Sequence, residues 1–306
     1  MDLAIIAARI IQFASATLLF GAPLFLLYGL KGPDRVGLGW PRPLALIAGL
    51  ALFLSAVAAL MAQTAAMAGD PAAALDRAMM GSVMLETPFG LAIAARGLAA
   101  AAAFVLCLVL RPGTALWLGL TSLGGVAVAS FAWSGHGAAT EGPGSLPHLL
   151  ADVLHLIAAA IWLGALAALA LLLRPQPAPA EPTAMRALHG ALAGFSGIGS
   201  AVVATLILTG LVNSWFLIGW DGIGRMGASP YGLLLIAKLV VFAGMLGLAA
   251  ANRFRHTPAL ATAIGAGAAA AALPALRRSV ALETAAGVAV LVLVGVLGTL
   301  APVAAQ

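Results

Sequence analysis

Residues 148–173 read HLLADVLHLIAAAIWLGALAALALLL, an apolar run interrupted only by His148, Asp152 and His155. Because an α-helix rises about 1.5 Å per residue, about 20 apolar residues cross the hydrocarbon core of a bilayer. The three polar side chains are spaced i, i+4, i+7, which places them within about 60° of one another on one helix face. We call these three residues the stripe. The run predicts a transmembrane helix that carries a polar stripe in its first half.

The composition of the whole chain is that of a membrane protein. Of its 306 residues 63% are hydrophobic and only 8% are charged, and the mean hydropathy is +1.09. Soluble domains carry about 25% charged residues. The apolar runs are continuous rather than alternating, which favours membrane helices over a membrane β-barrel. The sequence therefore predicts an all-α, polytopic membrane helix bundle.

Eight apolar runs are long enough to span a bilayer. Turn signals rich in proline and glycine separate them, and the predicted spans are residues 3–30, 43–69, 88–110, 114–134, 148–173, 190–218, 231–251 and 280–301. The first run is too long for the apolar core of a signal peptide, so we interpret it as a span. We expect a single membrane domain over residues 1–306, with an N-terminal four-helix half (1–147) and a C-terminal half (148–306).

Two segments between the spans have distinctive compositions. Residues 72–85 predict a short amphipathic helix at the membrane interface. The alanine-rich residues 259–275 predict a loosely ordered loop helix. No internal two-fold repeat, of the kind that many secondary carriers possess, is evident in the sequence.

The basic residues of the loops predict the orientation of the bundle. Only Arg77 and Arg225 lie in the loops that follow even-numbered spans, whereas ten lie in the loops that follow odd-numbered spans: Lys31, Arg35, Arg42, Arg111, Arg174, Arg186, Arg253, Arg255, Arg277 and Arg278. Cytoplasmic loops are enriched in lysine and arginine. We therefore expect both termini, and the beginning of the fifth span, to face the periplasm.

Two imidazoles and a carboxylate on one helix face are typical of metal ligands or of a proton relay. His136 follows the fourth span on the same predicted side, so His136 and the stripe together form a candidate copper or zinc site. Met80 and Met84, spaced i, i+4 in the interfacial segment, offer thioether ligands that would favour Cu(I). Each prediction has an alternative that stays open. The stripe could be a hydrogen-bonded trio without metal, and the methionines could only fill gaps between helices.

Three basic side chains, Arg9, Arg96 and Lys238, lie inside predicted spans. Each is about 10–12 Å below the predicted outer surface. Because an uncompensated charge in hydrocarbon is costly, we expect them to line one outward-opening polar vestibule with Asn213 and Asp152. The alternative is that the long side chains reach the interface from lipid-facing positions.

Several functions lack a supporting motif. The chain has no GxxxxGK[ST] loop, no HExxH and no GxSxG, so neither ATP hydrolysis nor another enzymatic activity is expected. The single cysteine, Cys107, lies in an apolar run, which excludes an internal disulfide and a thiolate metal cage. The basic charge is explained by membrane topology rather than by a nucleic-acid partner. Glu283, near the inner end of the last span, is expected to pair with a loop arginine.

Short motifs follow one another through the C-terminal part of the chain, namely Phe195-Ser196, Thr209-Gly210, Asn213, Tyr231-Gly232, Lys238, Asn252-Arg253, Pro258, Arg277-Arg278-Ser279 and Glu283. The fifth span adds Asp152, His155 and Trp162-Leu163-Gly164, and the N-terminal half adds Glu86-Thr87-Pro88-Phe89-Gly90 with Arg96. On these motifs the chain resembles the copper resistance protein D family, most strongly over residues 190–300.

The resemblance implies an inner-membrane protein of copper homeostasis that is proposed to take copper from the periplasm into the cytoplasm. Such proteins often work beside a small periplasmic copper-binding protein, which here would be a separate chain. We therefore expect copper, as Cu(I) or Cu(II), to bind at the periplasmic face and to move inward through a protein embedded in the lipid bilayer. Two alternatives stay open: a haem- or quinone-associated redox protein, in which buried cations hold propionates or a quinone head, and a non-transporting copper sensor or scaffold.

Overall fold

A computed structural model describes residues 2–31, 38–135, 140–175 and 182–305. Within these ranges the chain forms no β-strand, and its α-helices are α1 (Asp2–Gly29), α2 (Pro41–Ala68), α3 (Arg77–Glu86), α4 (Pro88–Val109), α5 (Thr114–Ala129), α6 (Ser145–Leu172), α7 (Pro182–Gly222), α8 (Pro230–Ala251), α9 (Thr257–Gly265) and α10 (Ala269–Leu297). Eight helical segments are long and apolar enough to cross a membrane. The prediction of an all-α membrane bundle with eight spans is confirmed.

Two segments between the spans differ in detail from the predictions. The interfacial segment is a 3-10 helix, Pro71–Leu75, followed by α3, which begins where the Asp76 carboxylate accepts hydrogen bonds from two backbone N–H groups. The prediction of a helix over residues 259–275 is confirmed, but its expected loose order was wrong. Alanine has the highest helix propensity, and these residues form α9 and the first turns of α10.

The first helix is central to the bundle. It packs against α2, α5 and α6, and α6 in turn packs against α7. Two glycines let α1 and α6 cross closely, since a Cβ on Gly164 would lie 2.4 Å from the Cα of Gly21. Small residues at a crossing let two membrane helices come together closely. We call the end of the bundle at which α1, α4, α6 and α8 begin the upper end.

Matched residues and contacts in the two halves indicate an internal repeat that was not evident from the sequence alone. Aligned on the glycines of the α1–α6 crossing, the equivalent pairs are Gly21 with Gly164, Phe20 with Leu163, Gln12 with His155, and Arg9 with Asp152. Gly124 of α5 packs against Phe20, and Gly287 of α10 packs against Leu163, the residues that precede the two crossing glycines. The equivalent spans run in the same direction, as in a parallel repeat.

The fourth and eighth helices carry the clearest trace of the same repeat. They begin with Thr87-Pro88-Phe89-Gly90 and Ser229-Pro230-Tyr231-Gly232, respectively. In each, the hydroxyl of the first residue accepts a hydrogen bond from the backbone N–H of the glycine, at 2.9 and 3.0 Å. A cation follows nine residues after this cap, Arg96 in α4 and Lys238 in α8.

The two halves differ in one respect that shapes the molecule. In the N-terminal half α2 packs along α4, whereas their equivalents α7 and α8, both described in full, do not pack closely against each other. Their lower parts are joined by an apolar cluster around Trp162. Above that cluster the space between α7 and α8 is part of a cavity.

Candidate functional site

A cavity of about 650 Å³ extends from the upper end of the bundle to Trp162 and Met245. Its walls come from both halves and consist mainly of alanine, leucine, isoleucine and phenylalanine side chains. The charged or strongly polar residues that line it are Arg9, Gln12, Gln63, Arg96, Ser134, His148, Asp152, His155, Asn213, Ser214, Tyr231 and Lys238. All three members of the stripe and all four predicted vestibule residues therefore face one cavity.

The first member of the stripe, His148, has contacts of its own. His148 is 2% exposed, and its ring stacks on that of Phe216 with the centroids 4.6 Å apart. Its Nδ1 lies 2.7 Å from the hydroxyl oxygen of Thr140. These contacts stabilise one ring orientation, so His148 must leave Phe216 to join a common ligand shell with the rest of the stripe.

The contacts of His155 define which of its ring nitrogens can bind a ligand. Nδ1 lies 3.0 Å from the hydroxyl oxygen of Thr209. That hydroxyl donates its only proton to the backbone carbonyl of Thr205, at 2.6 Å. Nδ1 must therefore carry the proton and donate to Thr209, which leaves Nε2 with a lone pair. This arrangement is the one that metal-ligating histidines use.

Asp152 lies one turn above His155 and takes part in a small polar network. Its Oδ1 accepts a hydrogen bond from the side-chain amide of Asn213, with an N–O distance of 3.4 Å. Asp152 also interacts electrostatically with Lys238 and Tyr231 from α8. Its carboxylate thus faces α7 and α8 across the cavity and is available to a cation or to a histidine.

The structure does not assemble the full predicted ligand set. In the parts of the chain that it describes, no three His, Cys, Asp or Glu side chains are close enough together to hold one metal ion. His136 lies outside the described residues. Met80 and Met84 pack in a separate apolar cluster around Val83 and Ile93 and do not line the cavity.

Arg96 is buried and has no acidic partner among the residues that the structure describes. The side chain is 1% exposed. Its guanidinium donates hydrogen bonds to Gln12 Oε1, to the Ser130 hydroxyl at 3.0 Å and to the Ser134 hydroxyl at 3.1 Å. It also lies 3.7 Å from the centroid of the Phe131 ring. Neutral dipoles and an aromatic face therefore stabilise this charge and leave it uncompensated.

The other two cavity cations differ in their surroundings. Arg9 interacts electrostatically with Arg96, and its buried Nε finds no hydrogen-bond partner in the described part of the chain. Lys238 is close enough to Asp152 to interact electrostatically. The cavity therefore contains one partly balanced cation beside the stripe and two mutually repelling cations on the side of α1 and α4.

A buried carboxylate lies directly below the cavity. Glu283 is 1% exposed and accepts hydrogen bonds from the indole N–H of Trp162 at 2.8 Å and from the side-chain amide of Asn252 at 2.7 Å. The predicted ion pair with a loop arginine was wrong, because Arg277 donates to the backbone carbonyl of Leu173 instead. Sequence reasoning missed this contact, although all three of its residues belong to the motifs quoted above.

Comparison with known proteins gives a consistent result over the whole chain. Residues 1–146 match the family model described as "Copper resistance protein D-like, N-terminal domain", and residues 189–297 match "Copper resistance protein D". A relative named "Copper resistance protein D", from Pseudomonas syringae pv. tomato, is 40% identical over 302 residues, which cover 97% of this chain and 96% of the relative. The chain belongs to the copper resistance protein D family. No solved structure matches it.

Membership of the copper resistance protein D family supports a copper-related function. Together with the eight apolar helices, it identifies a multi-pass membrane protein, consistent with the inner membrane. The resemblance inferred from sequence motifs is thus confirmed.

Proposed function

We propose that this protein binds copper in the upper part of the cavity and moves it from the periplasm to the cytoplasm, acting as a transporter rather than as an enzyme. The observation that carries the proposal is that His148, Asp152 and His155 line one cavity, which leads down α6 to Trp162. Imidazole nitrogens and a carboxylate are suitable first ligands for copper. The basic-residue distribution supports placing the upper end in the periplasm.

Capture begins at His155. Its Nδ1 is hydrogen-bonded to Thr209, so its Nε2 has the lone pair that can bind the ion. Asp152 either binds the ion as a second ligand or accepts a proton from a histidine that does. His148 completes the shell when its ring leaves Phe216. The ion arrives by ligand exchange, and a separate periplasmic copper-binding protein is a suitable donor.

Passage inward requires a ligand at the bottom of the cavity. Met245, 3% exposed, lines the cavity beside Trp162 and offers a thioether suited to Cu(I). Below it, Trp162, Glu283 and Asn252 close the route with two hydrogen bonds. We infer that these hydrogen bonds break when the ion passes and that the Glu283 carboxylate is its next ligand.

Copper affinity of stripe variants tests the capture step. His155→Ala should abolish binding, and Asp152→Asn should weaken it about 10–100-fold if Asp152 orients a ligand rather than binding the ion. His189→Ala, a variant in the lower part of α7, is the matched control and should bind as the wild type does. Unchanged affinity in a folded His155→Ala protein, for both Cu(I) and Cu(II), would contradict the proposal.

Copper uptake by proteoliposomes tests the passage step separately. Glu283→Gln should keep the copper affinity of the wild type and lose most uptake, because it alters the route below the cavity and leaves the stripe intact. If Glu283→Gln transports copper at the wild-type rate, Glu283 lies outside the route.

One observation favours a second candidate, a haem- or quinone-associated redox protein. The cavity is larger than a single ion requires and contains cations that could hold propionates. Against it, His148 and His155 lie on the same face of α6 and cannot bind opposite sides of one haem iron. An optical spectrum of the purified protein separates the two: a Soret band favours the redox protein, whereas bound copper without one favours transport.

A further inference from the structure

We propose that the cavity binds an anionic membrane amphiphile, of the phospholipid class, with its acidic headgroup at Arg9 and an acyl chain in the space between α7 and α8. The proposal does not depend on copper binding. It assigns a role to cavity residues that the capture of a cation leaves unused.

The charge of the cavity argues for an anionic ligand. Three cations and one carboxylate line it, and the carboxylate, Asp152, is on the side of Lys238. Arg9 and Arg96 repel each other and have no acidic partner among the described residues. An anion beside them removes this repulsion. The buried Nε of Arg9, which has no hydrogen-bond partner within the described ranges, provides a donor for this anion.

The repeat identifies the space for the apolar part of the ligand. The equivalent helices of the N-terminal half, α2 and α4, pack together directly, whereas α7 and α8 leave a gap. Three residues that border the gap and line the cavity, Ile207, Leu211 and Leu239, are 43%, 65% and 49% exposed. An apolar opening on the side of a membrane bundle faces lipid chains, so the ligand can enter sideways from the bilayer.

The size of the cavity fits the same class. A cavity of about 650 Å³ has room for a headgroup and one acyl chain, and the second chain of a phospholipid stays among the bilayer lipids. A free inorganic anion would satisfy Arg9 and leave the apolar walls uncovered. A neutral amphiphile would cover the walls and leave the cations unpaired. Only a molecule with both an acidic group and an apolar chain pairs with Arg9 and also covers the apolar walls of the gap.

Native mass spectrometry of the full-length protein, released from a neutral detergent, tests this. The probes are phosphatidylglycerol, phosphatidylcholine with the same acyl chains, and inorganic phosphate as a competitor. We expect the wild type to retain one phosphatidylglycerol at least tenfold more tightly than phosphatidylcholine, without displacement by phosphate. Arg9→Gln should lower that affinity about tenfold or more. Arg225→Gln removes an exposed cation near the upper end and should have no effect.

Each other result would overturn the proposal. Equal retention of the two lipids removes the role of the cations, and displacement by phosphate indicates a site for a free anion. A protein dimer without bound lipid indicates that α7 and α8 contact a second copy, and a Soret band indicates haem. The comparison of the two lipids uses the wild type alone, so the test stands even if Arg9→Gln fails to fold.

Discussion

Replacing Gly164 by alanine should destabilise the bundle at the contact that joins its halves. An alanine Cβ would lie 2.4 Å from the Cα of Gly21, whereas carbon atoms in contact are about 3.5–4.0 Å apart. The helices α1 and α6 must therefore separate by roughly 1 Å or more, because backbone cannot rotate away as a side chain does. The crossing lies below the stripe, so the separation should also widen the cavity.

The net effect combines two opposing contributions. Overpacking a tight contact costs about 1–3 kcal/mol, whereas alanine in place of glycine favours a helix by about 1 kcal/mol. A 2.4 Å approach to backbone belongs at the severe end of that range, about 2–3 kcal/mol, so we expect Gly164→Ala to lower the free energy of unfolding by about 1–2 kcal/mol. Gly194→Ala is the matched control, since a Cβ there would meet nothing within 4 Å. The control gains the helix propensity without the clash and should be neutral or stabilised by up to about 1 kcal/mol.

Unfolding by SDS in mixed micelles, followed by circular dichroism, measures both variants on one scale. The expected order of stability is Gly194→Ala at or above the wild type, and Gly164→Ala below it. If Gly164→Ala is as stable as the wild type while the control behaves as expected, α1 and α6 do not cross at these glycines. The pairing of the two halves about this contact would then also be wrong.

Three further predictions concern orientation, the floor of the cavity and pH. A reporter that is active only in the cytoplasm should stay silent when fused to either terminus, and strong activity would reverse the proposed direction of transport. Trp162→Phe should destabilise the protein by about 1.5–3 kcal/mol in the same unfolding assay, because Glu283 loses a buried donor; Trp220→Phe, at a side chain that is 72% exposed, is the control. Copper affinity should fall on acidification, because a protonated imidazole cannot bind a metal; a flat pH profile would exclude histidine ligands.

The sequence predicted the number and order of the spans because their signal is large and local. Long apolar runs separated by proline and glycine need no knowledge of tertiary contacts. The ends of the spans were less certain. The alanine-rich residues 259–275 were predicted as a separate, loosely ordered loop helix, yet the last membrane helix, α10, already begins at Ala269, because alanine propagates a helix that packing has started.

The sequence predicted the helix face and the membrane depth of the site residues, but not their hydrogen-bond partners. Helical periodicity placed the stripe on one side of α6, and the cost of buried charge placed Arg9, Arg96 and Lys238 around a common space. Hydrogen-bond partners depend on which helices become neighbours. Nothing local to Glu283 indicates that Trp162, 121 positions earlier, donates to it. The repeat was not evident from the sequence either, because its equivalent residues are few and its loops differ in length.

The Arg9–Asp152 equivalence has a consequence for how such a cavity could arise. In a dimer of two identical four-span chains, two-fold symmetry places the same residue at equivalent positions, so both sides of the axis carry the same charge. A position that carries arginine on one side then cannot carry aspartate on the other, and glutamine on one side cannot be matched by histidine on the other. Joining the halves in one polypeptide removes that constraint and lets each side mutate independently. The different residues at these matched positions, Arg9 with Asp152 and Gln12 with His155, therefore require two different halves, and a homodimer of either half alone could not reproduce them.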